Sequence, residues 1–414
     1  MGAIHRLYIT RMTFKLRMIT HEAFSGLGFG IMLAVLGVFY VEKGLSLWQI
    51  SLLFGTVGAS NALFELPFGA AADIYGRLRI YRLSRLILIG SVLLLLASPA
   101  FWLILVAAAG VGLAQALDSG TVDAWMVERI KDQGLEAKLQ RFIGTFQASM
   151  AAGITLGAII GGYIPKLMPA TPLFPATGWN LILAAALASL HLITTYALFH
   201  EGECRTQPTN HGQIKSQMRN AIAFSLQNHT LRHLLLLGVV LGVAMFSVEA
   251  YWQPRLIEIT QTPTYAAFGW VTAGYFAMAI LGPLLISTIA EKTTLSPRIQ
   301  LLVLPFILAG VLMALALQSG FGFFIAAYLA FMLVVSMLNP PAMTLLNREA
   351  PDEMRSTLQS LFSFVLRLGG GIAAFAFAPV VQTYGISATW MLGAGIVLVA
   401  GVILLMLSPR KIAA

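Results

Sequence analysis

Apolar residues run along this chain in long blocks separated by short polar breaks, and the charges mark where the breaks fall. No Asp, Glu, Lys or Arg occurs in 23–41, 44–64, 86–117, 142–165, 259–290, 299–347 or 368–409. A helix needs about 20 apolar residues to cross a bilayer. The blocks 86–117, 299–347 and 368–409 are therefore read as two helices and a turn each. The turns fall at Ser98-Pro99, at Gln318-Ser319-Gly320 and between Gln382 and Gly385. Backbone polar groups in lipid must be satisfied within the segment, so the spans are helices and not open sheet. The pattern predicts an all-α membrane protein with twelve spans, near 17–41, 46–72, 79–98, 101–127, 138–165, 178–199, 231–257, 264–290, 298–318, 320–346, 354–381 and 386–408. In the one long polar connection Ile214, Met218, Ile222 and Leu226 recur every four residues, with Lys215 and Arg219 on another face. That predicts an amphipathic helix at the membrane surface. An early start to span 7 is an equally open reading of its second half.

Composition agrees: 58% of the 414 residues are hydrophobic and only 10% charged, with a mean hydropathy of +0.82. Soluble chains carry about 25% charged residues, so too few charges exist here to coat a water-facing surface. A soluble enzyme, a disordered tail, collagen and a disulfide scaffold are excluded. Of the 26 Lys and Arg, 22 fall on alternate connections and the termini, three (Lys43, Lys166, Arg255) on the opposite connections, and Arg367 inside a span. This asymmetry predicts a cell-membrane protein, in a bacterial inner or plasma membrane, with both termini cytoplasmic. It also accounts for the net charge of +9 without a nucleic-acid partner. The basic N-terminus leads into a full-length apolar run and is read as an uncleaved span. The lone Cys204 excludes an internal disulfide and a thiolate metal cluster. The sequence carries no nucleotide-binding loop, no metal constellation and no nucleophile–base set, so neither an enzyme nor a cofactor is expected.

The two halves weakly repeat. Gly69-Ala-Ala-Ala-Asp73 matches Ser287-Thr-Ile-Ala-Glu291 at an offset of 218, and Glu136-Ala-Lys138 matches Glu353-Met-Arg355 at 217. Parallel six-helix halves are therefore expected at 1–200 and 231–414, joined by a cytoplasmic linker at 201–230. Such repeats typify secondary transporters, whose sites lie between the halves.

The segment Gly69-Ala-Ala-Ala-Asp73-Ile-Tyr-Gly76-Arg77-Leu-Arg79 resembles the cytoplasmic loop motif of the major facilitator superfamily, with Ile74 where a basic residue is usual. The resemblance covers essentially the whole chain and implies that superfamily's fold of two pseudo-symmetric six-helix bundles. It further implies a latch formed in the outward-facing state. In it Asp73 ends helix 2 and holds the start of helix 11, while Arg77 pairs with Asp73 and with Asp123 or Glu128. Gly153-x-x-x-Gly157-Ala158-x-x-Gly161-Gly162 in span 5 resembles the glycine motif of bacterial drug–proton antiporters, with Ala158 where a Pro is usual. Small residues at this spacing let helices touch backbone to backbone.

Acids at membrane depth cost at least ~2.5 kcal/mol and so mark pathways, relays or buried pairs. Glu65, Asp118 and Glu249 are the candidates, with Glu65 and Asp118 expected to face each other near the latch. Met245, Glu249, Trp252 and Gln253 share one helix face. In the superfamily this helix lines the central cavity, and the 218 offset maps Glu249 onto Ile31 near the midplane. Tyr328, Phe331 and Met332, the helix-distorting Asn339-Pro340-Pro341, and Arg367 as the sole intramembrane base complete the candidate cavity. His21 and His191 receive no role. The expected activity is proton-coupled efflux of small lipophilic or cationic compounds by a monomer in the lipid bilayer, with protons as coupling ion. The alternatives are a proton symporter or uniporter importing a small metabolite, and a non-transporting sensor or lipid-handling protein.

Overall fold

The computed structural model describes residues 2–132, 134, 139–199, 211–293 and 295–407. Cys204 and the Glu136–Lys138 half of one repeat pair lie outside the described residues. Among those described, the regular structure is helical throughout. Span 1 is α1 (Gly2–Leu33) and α2 (Leu36–Glu42), span 2 is α3 (Leu47–Tyr75), and span 3 is α4 (Arg77–Ala97). Span 4 divides at Ser119-Gly120 into α5 (Phe101–Asp118) and α6 (Thr121–Asp132). Spans 5 and 6 are α7 (Leu139–Leu167) and α8 (Gly178–Leu198), and the linker carries α9 (His211–Gln227). Spans 7 to 9 are α10 (His229–Thr260), α11 (Tyr265–Thr293) and α12 (Pro297–Ala316). Span 10 breaks after Leu338 into α13 (Phe321–Met337) and α14 (Asn339–Glu349), the prolines of Asn339-Pro340-Pro341 lying in the first turn of α14.

Spans 11 and 12 share α15 (Arg355–Met406), whose 52 residues turn at Gly385 (φ 81°, ψ 178°). Straight, such a helix would be about 78 Å long, more than twice a hydrocarbon core. A positive φ at the turn suits glycine because it has no Cβ to clash. Gly76 uses the same freedom at φ 102° to start α4. Helix α3 runs on to Tyr75, so the expectation that Asp73 ends it is corrected: Gly76 does.

By contacts the chain falls into two compact units. The first takes Met1–Gly44, Ser60–Thr209 and Thr264–Phe276; the second takes Leu45–Ala59, Asn210–Pro263 and Ala277–Ala414. Helices α3 and α11 are thus each shared between the units. In the second unit Ser51 Oγ on α3 donates to Ala374 O at 2.6 Å and accepts from Tyr251 OH at 2.8 Å. In the first, Glu42 accepts from Tyr265 OH on α11 and from Thr177 Oγ1, both at 2.5 Å. Helix α9 packs on the second unit through the buried Ala221 and Ser225 and leaves Ile222 and Leu226 exposed.

The tightest packing in each unit is one helix pair. A Cβ added at Gly30 would collide with the Ile154 carbonyl, and one at Gly157 with that of Leu27. The same collisions recur between Gly242 and Leu366, and between Gly369 and Val239. The α1–α7 and α10–α15 pairs therefore share one register, displaced by 212 residues. The 218 offset of the loop motifs does not hold inside these spans, because insertions in connections shift loops without shifting packed helices. The helix register aligns Glu249 with Gly37 instead of Ile31, about 9 Å further along the helix at 1.5 Å per residue. The 218 offset therefore does not set the depth of Glu249.

Two cations cap helix ends whose last carbonyls lack partners. Lys43 Nζ donates to Leu95 O, Leu96 O and Ser98 O at 3.0, 3.0 and 2.6 Å, and partial burial lowers its pKa from the ordinary lysine value. Arg82 donates to Thr195 O and Phe199 O at 3.2 and 2.9 Å and lies over the Tyr196 ring. Gly157→Leu and Gly242→Leu should each destabilise their unit by about 1–3 kcal/mol or more through overpacking. Thermal unfolding in detergent checks this, and wild-type melting in either variant would contradict the backbone contact.

Candidate functional site

Helices α1, α4, α5, α7 and α8 of the first unit enclose a cavity of about 250 Å³. Its polar lining is Ser25, Arg85, Gln115, Asp118 and His191, and the remainder is apolar. Arg85 is 8% exposed. It is one of the 22 bases counted on the connections and termini, yet it lies two turns inside α4, and Arg367 is therefore not the sole base at membrane depth. Arg85 Nη2 meets Asp118 Oδ2 at 2.5 Å, and its guanidinium lies 4.8 Å from the centre of the Tyr81 ring. The carboxylate neutralises a charge that lipid would penalise.

Behind this pair sits a group that sequence reasoning missed. His191 Nε2 lies 2.9 Å from His21 Nδ1, and Tyr81 OH lies 3.3 Å from His21 Nε2. Both imidazoles are buried, at 4% and 2% exposure. A hydrogen bond between two imidazoles needs one lone pair, so both rings cannot be protonated together. Glu22, one residue on from His21, interacts electrostatically with Asp123, Asp118 and Arg85. It lies twenty residues into α1. The one signal available was Arg85 itself, an eight-residue step from the start of its helix with Tyr81 four positions before it.

Glu65 and Asp118 were expected to face each other. Glu65 accepts from Ser119 Oγ at 3.2 Å, while Asp118 is held by Arg85. At the latch, Arg77 Nη1 lies 2.9 Å from Glu128 Oε1, and Asp123 is exposed on α6. The side chains of Gly69 and Asp73 lie outside the described residues. The four motif glycines of α7 make close approaches: Gly153 and Gly157 against Ala23 and Leu27, Gly161 against Ile31, and Gly162 against Gly269 of α11.

In the second unit Trp252 of α10 stacks on Tyr328 of α13 with ring centres 4.8 Å apart and planes at 26°. The charge of Glu249 acts on the same Tyr328 hydroxyl. Glu249, Trp252 and Tyr328 thus come together. Gln253, Phe331 and Met332 are buried, Met245 is half-buried, and Asn339 and Arg367 are exposed. Of all the nominated residues, Asp118 alone lines the cavity of the first unit.

Asp118→Ala should cost about 3–5 kcal/mol, because it strands a buried guanidinium. Replacing both partners by Arg85→Met and Asp118→Leu should recover most of that loss. Melting of the single and double variants in detergent decides. A single variant as stable as wild type would mean that Arg85 reaches water.

The family model for the Major Facilitator Superfamily matches residues 22–262 and 256–414. The uncharacterized MFS-type transporter YxaM of Bacillus subtilis (strain 168) is 22% identical over 400 residues, covering 94% of this chain and 94% of its own. Among solved structures, the nucleoside transporter NupG superposes with a TM-score of 0.80 at 14% identity, covering 96% of this chain and 99% of that one. A bacterial homolog of the human lysosomal transporter Spinster, inward-facing and occupied, gives 0.75 at 15% identity over 96% of both chains. A POT family transporter in complex with 5-aminolevulinic acid gives 0.74 at 14% identity over 97% of both. At these identities the structural likenesses show the fold.

Proposed function

The chain belongs to the major facilitator superfamily, and from that premise we propose that it is a proton-coupled efflux antiporter for small lipophilic or cationic compounds. Membership makes it a multi-pass membrane protein and a secondary transporter, with a transport role in place of an enzymatic one. Direction, coupling and substrate class are our reading, and one observation carries it. Glu249 is an acid at membrane depth beside the stacked pair Trp252 and Tyr328. Aromatic faces attract a desolvated cation, and a carboxylate among them adds a counter-charge. In low dielectric such an acid carries either a proton or a cation, which is the exchange an antiporter needs. Asp118 already has Arg85 as a counter-ion, and Glu249 with its aromatic neighbours is our choice of coupling group. Taking the basic connections as cytoplasmic, the ion pair of Arg77 and Glu128 sits at the cytoplasmic latch, and the chain works as a monomer. A second reading, import of a small metabolite by symport, draws support from the nucleoside transporter and the 5-aminolevulinic acid complex among the structural neighbours. There Arg367 would meet an anionic group.

Proteoliposomes under imposed pH gradients of both signs, loaded with a panel of cationic dyes, test the reading. Dye should move against the proton flux, and Glu249→Gln should abolish gradient-driven movement while insertion and melting stay at wild-type levels. Movement with the proton flux would favour symport, and no gradient dependence would remove the coupling.

A further inference from the structure

The cavity of the first unit takes no part in the Glu249 reading, yet it is built like a binding site. Its volume is about 250 Å³. An engineered cavity of about 150 Å³ holds benzene, so this one has room for about ten non-hydrogen atoms. Its lining is also amphipathic along the helix axes. Ser25 on α1, Arg85 on α4, Gln115 and Asp118 on α5, and His191 on α8 lie towards the basic connections. Met32, Val92, Val111 and Ala184 lie further from them on the same four helices. A ligand that fits has an apolar body and one polar end.

The charge of that end follows from the lining itself. Arg85 and Asp118 are its only charged residues among those described, and they pair with each other at 2.5 Å. His191 turns its Nε2 to His21. An ion entering the cavity would shed its hydration and find no unmatched charge to replace it. A neutral polar group is spared that cost where a hydrogen bond awaits it. Gln115 supplies one: its Oε1 accepts from Asn61 Nδ2 at 3.3 Å, and its amide nitrogen carries two donors. We propose that this cavity binds a compact uncharged alcohol, its hydroxyl on the Gln115 amide and its apolar body between α1, α4, α5 and α8. Every lining residue belongs to the first unit, so the site stands whether or not Glu249 couples transport to protons.

Full-length protein in detergent, titrated calorimetrically at neutral pH against empty micelles, tests the assignment. The probes are 2-phenylethanol, ethylbenzene, 2-phenylethylamine, 3-phenylpropionate and phenylalanine, the last a zwitterion that would have to split the ion pair. The alcohol should bind about three- to ten-fold tighter than ethylbenzene, the contribution of one neutral hydrogen bond. It should bind about ten-fold or more tighter than the three charged probes, which must desolvate. Gln115 is exposed and stands outside the ion pair, so Gln115→Leu should keep wild-type melting and bring the alcohol down to the hydrocarbon's affinity. Ala188→Leu fills the cavity and should abolish binding of the alcohol. Four results each overturn the proposal: no alcohol binding to wild type below about 10 mM, a charged probe that binds as tightly as the alcohol, an alcohol preference kept in Gln115→Leu, or undiminished binding in Ala188→Leu. Should Ala188→Leu fail to fold, the ligand series and Gln115→Leu decide by themselves.

Discussion

A charged side chain cannot remain inside a bilayer without something that cancels it, and this constraint orders most of what the chain does. Arg85 lies two turns into α4 and is all but buried. It is tolerable there only because Asp118 arrives from α5 at 2.5 Å, which in turn ties α5 to α4. The residues around the pair follow from it. Tyr81 offers its ring face, and the His21–His191 hydrogen bond keeps a second full positive charge away. Glu249 lies beside the stacked rings of Trp252 and Tyr328. In the proposed function, a proton and a cationic ligand alternate in neutralising it.

The scaffold holding these charges is built without a hydrophobic drive between helices, because lipid is as apolar as leucine. Contact is gained instead by bringing backbones together. Gly30 and Gly157 do this between α1 and α7, and Gly242 and Gly369 do it at the same register between α10 and α15. Each pair forms a stiff spine within its unit. Helices α3 and α11 are divided between units by their contacts, with Ser51 bonded to Ala374 and Tyr251, and Tyr265 bonded to Glu42. Stiff spines combined with shared helices suit a molecule that must move in large pieces without deforming its cores.

Much of this was legible in the sequence, and what was not has identifiable causes. Span positions were readable because the cost of a charge in lipid acts residue by residue. The breaks at Gly385 and at Asn339-Pro340-Pro341 were readable from turn and proline chemistry. Arg85 was counted with the bases of the connections although the predicted span 79–98 contains it, and the start of α4 at Arg77 puts it two turns deep. The two histidines are 170 positions apart, and no one-dimensional pattern joins them. The register of Glu249 was misjudged because the loop motifs carry insertions that the glycine pairs do not. The pairing of Arg77 with an acid of span 4 came from the resemblance; that the acid is Glu128 came only from geometry.

The account turns on Glu249 holding a proton that a cationic ligand displaces. The most direct test is to count protons: tetraphenylphosphonium, a cation that cannot itself titrate, is added to the purified protein in weakly buffered detergent with a pH indicator. The account predicts proton release from the wild type that saturates with binding, and none from Glu249→Gln. Binding without release from the wild type, or equal release from the variant, would contradict it.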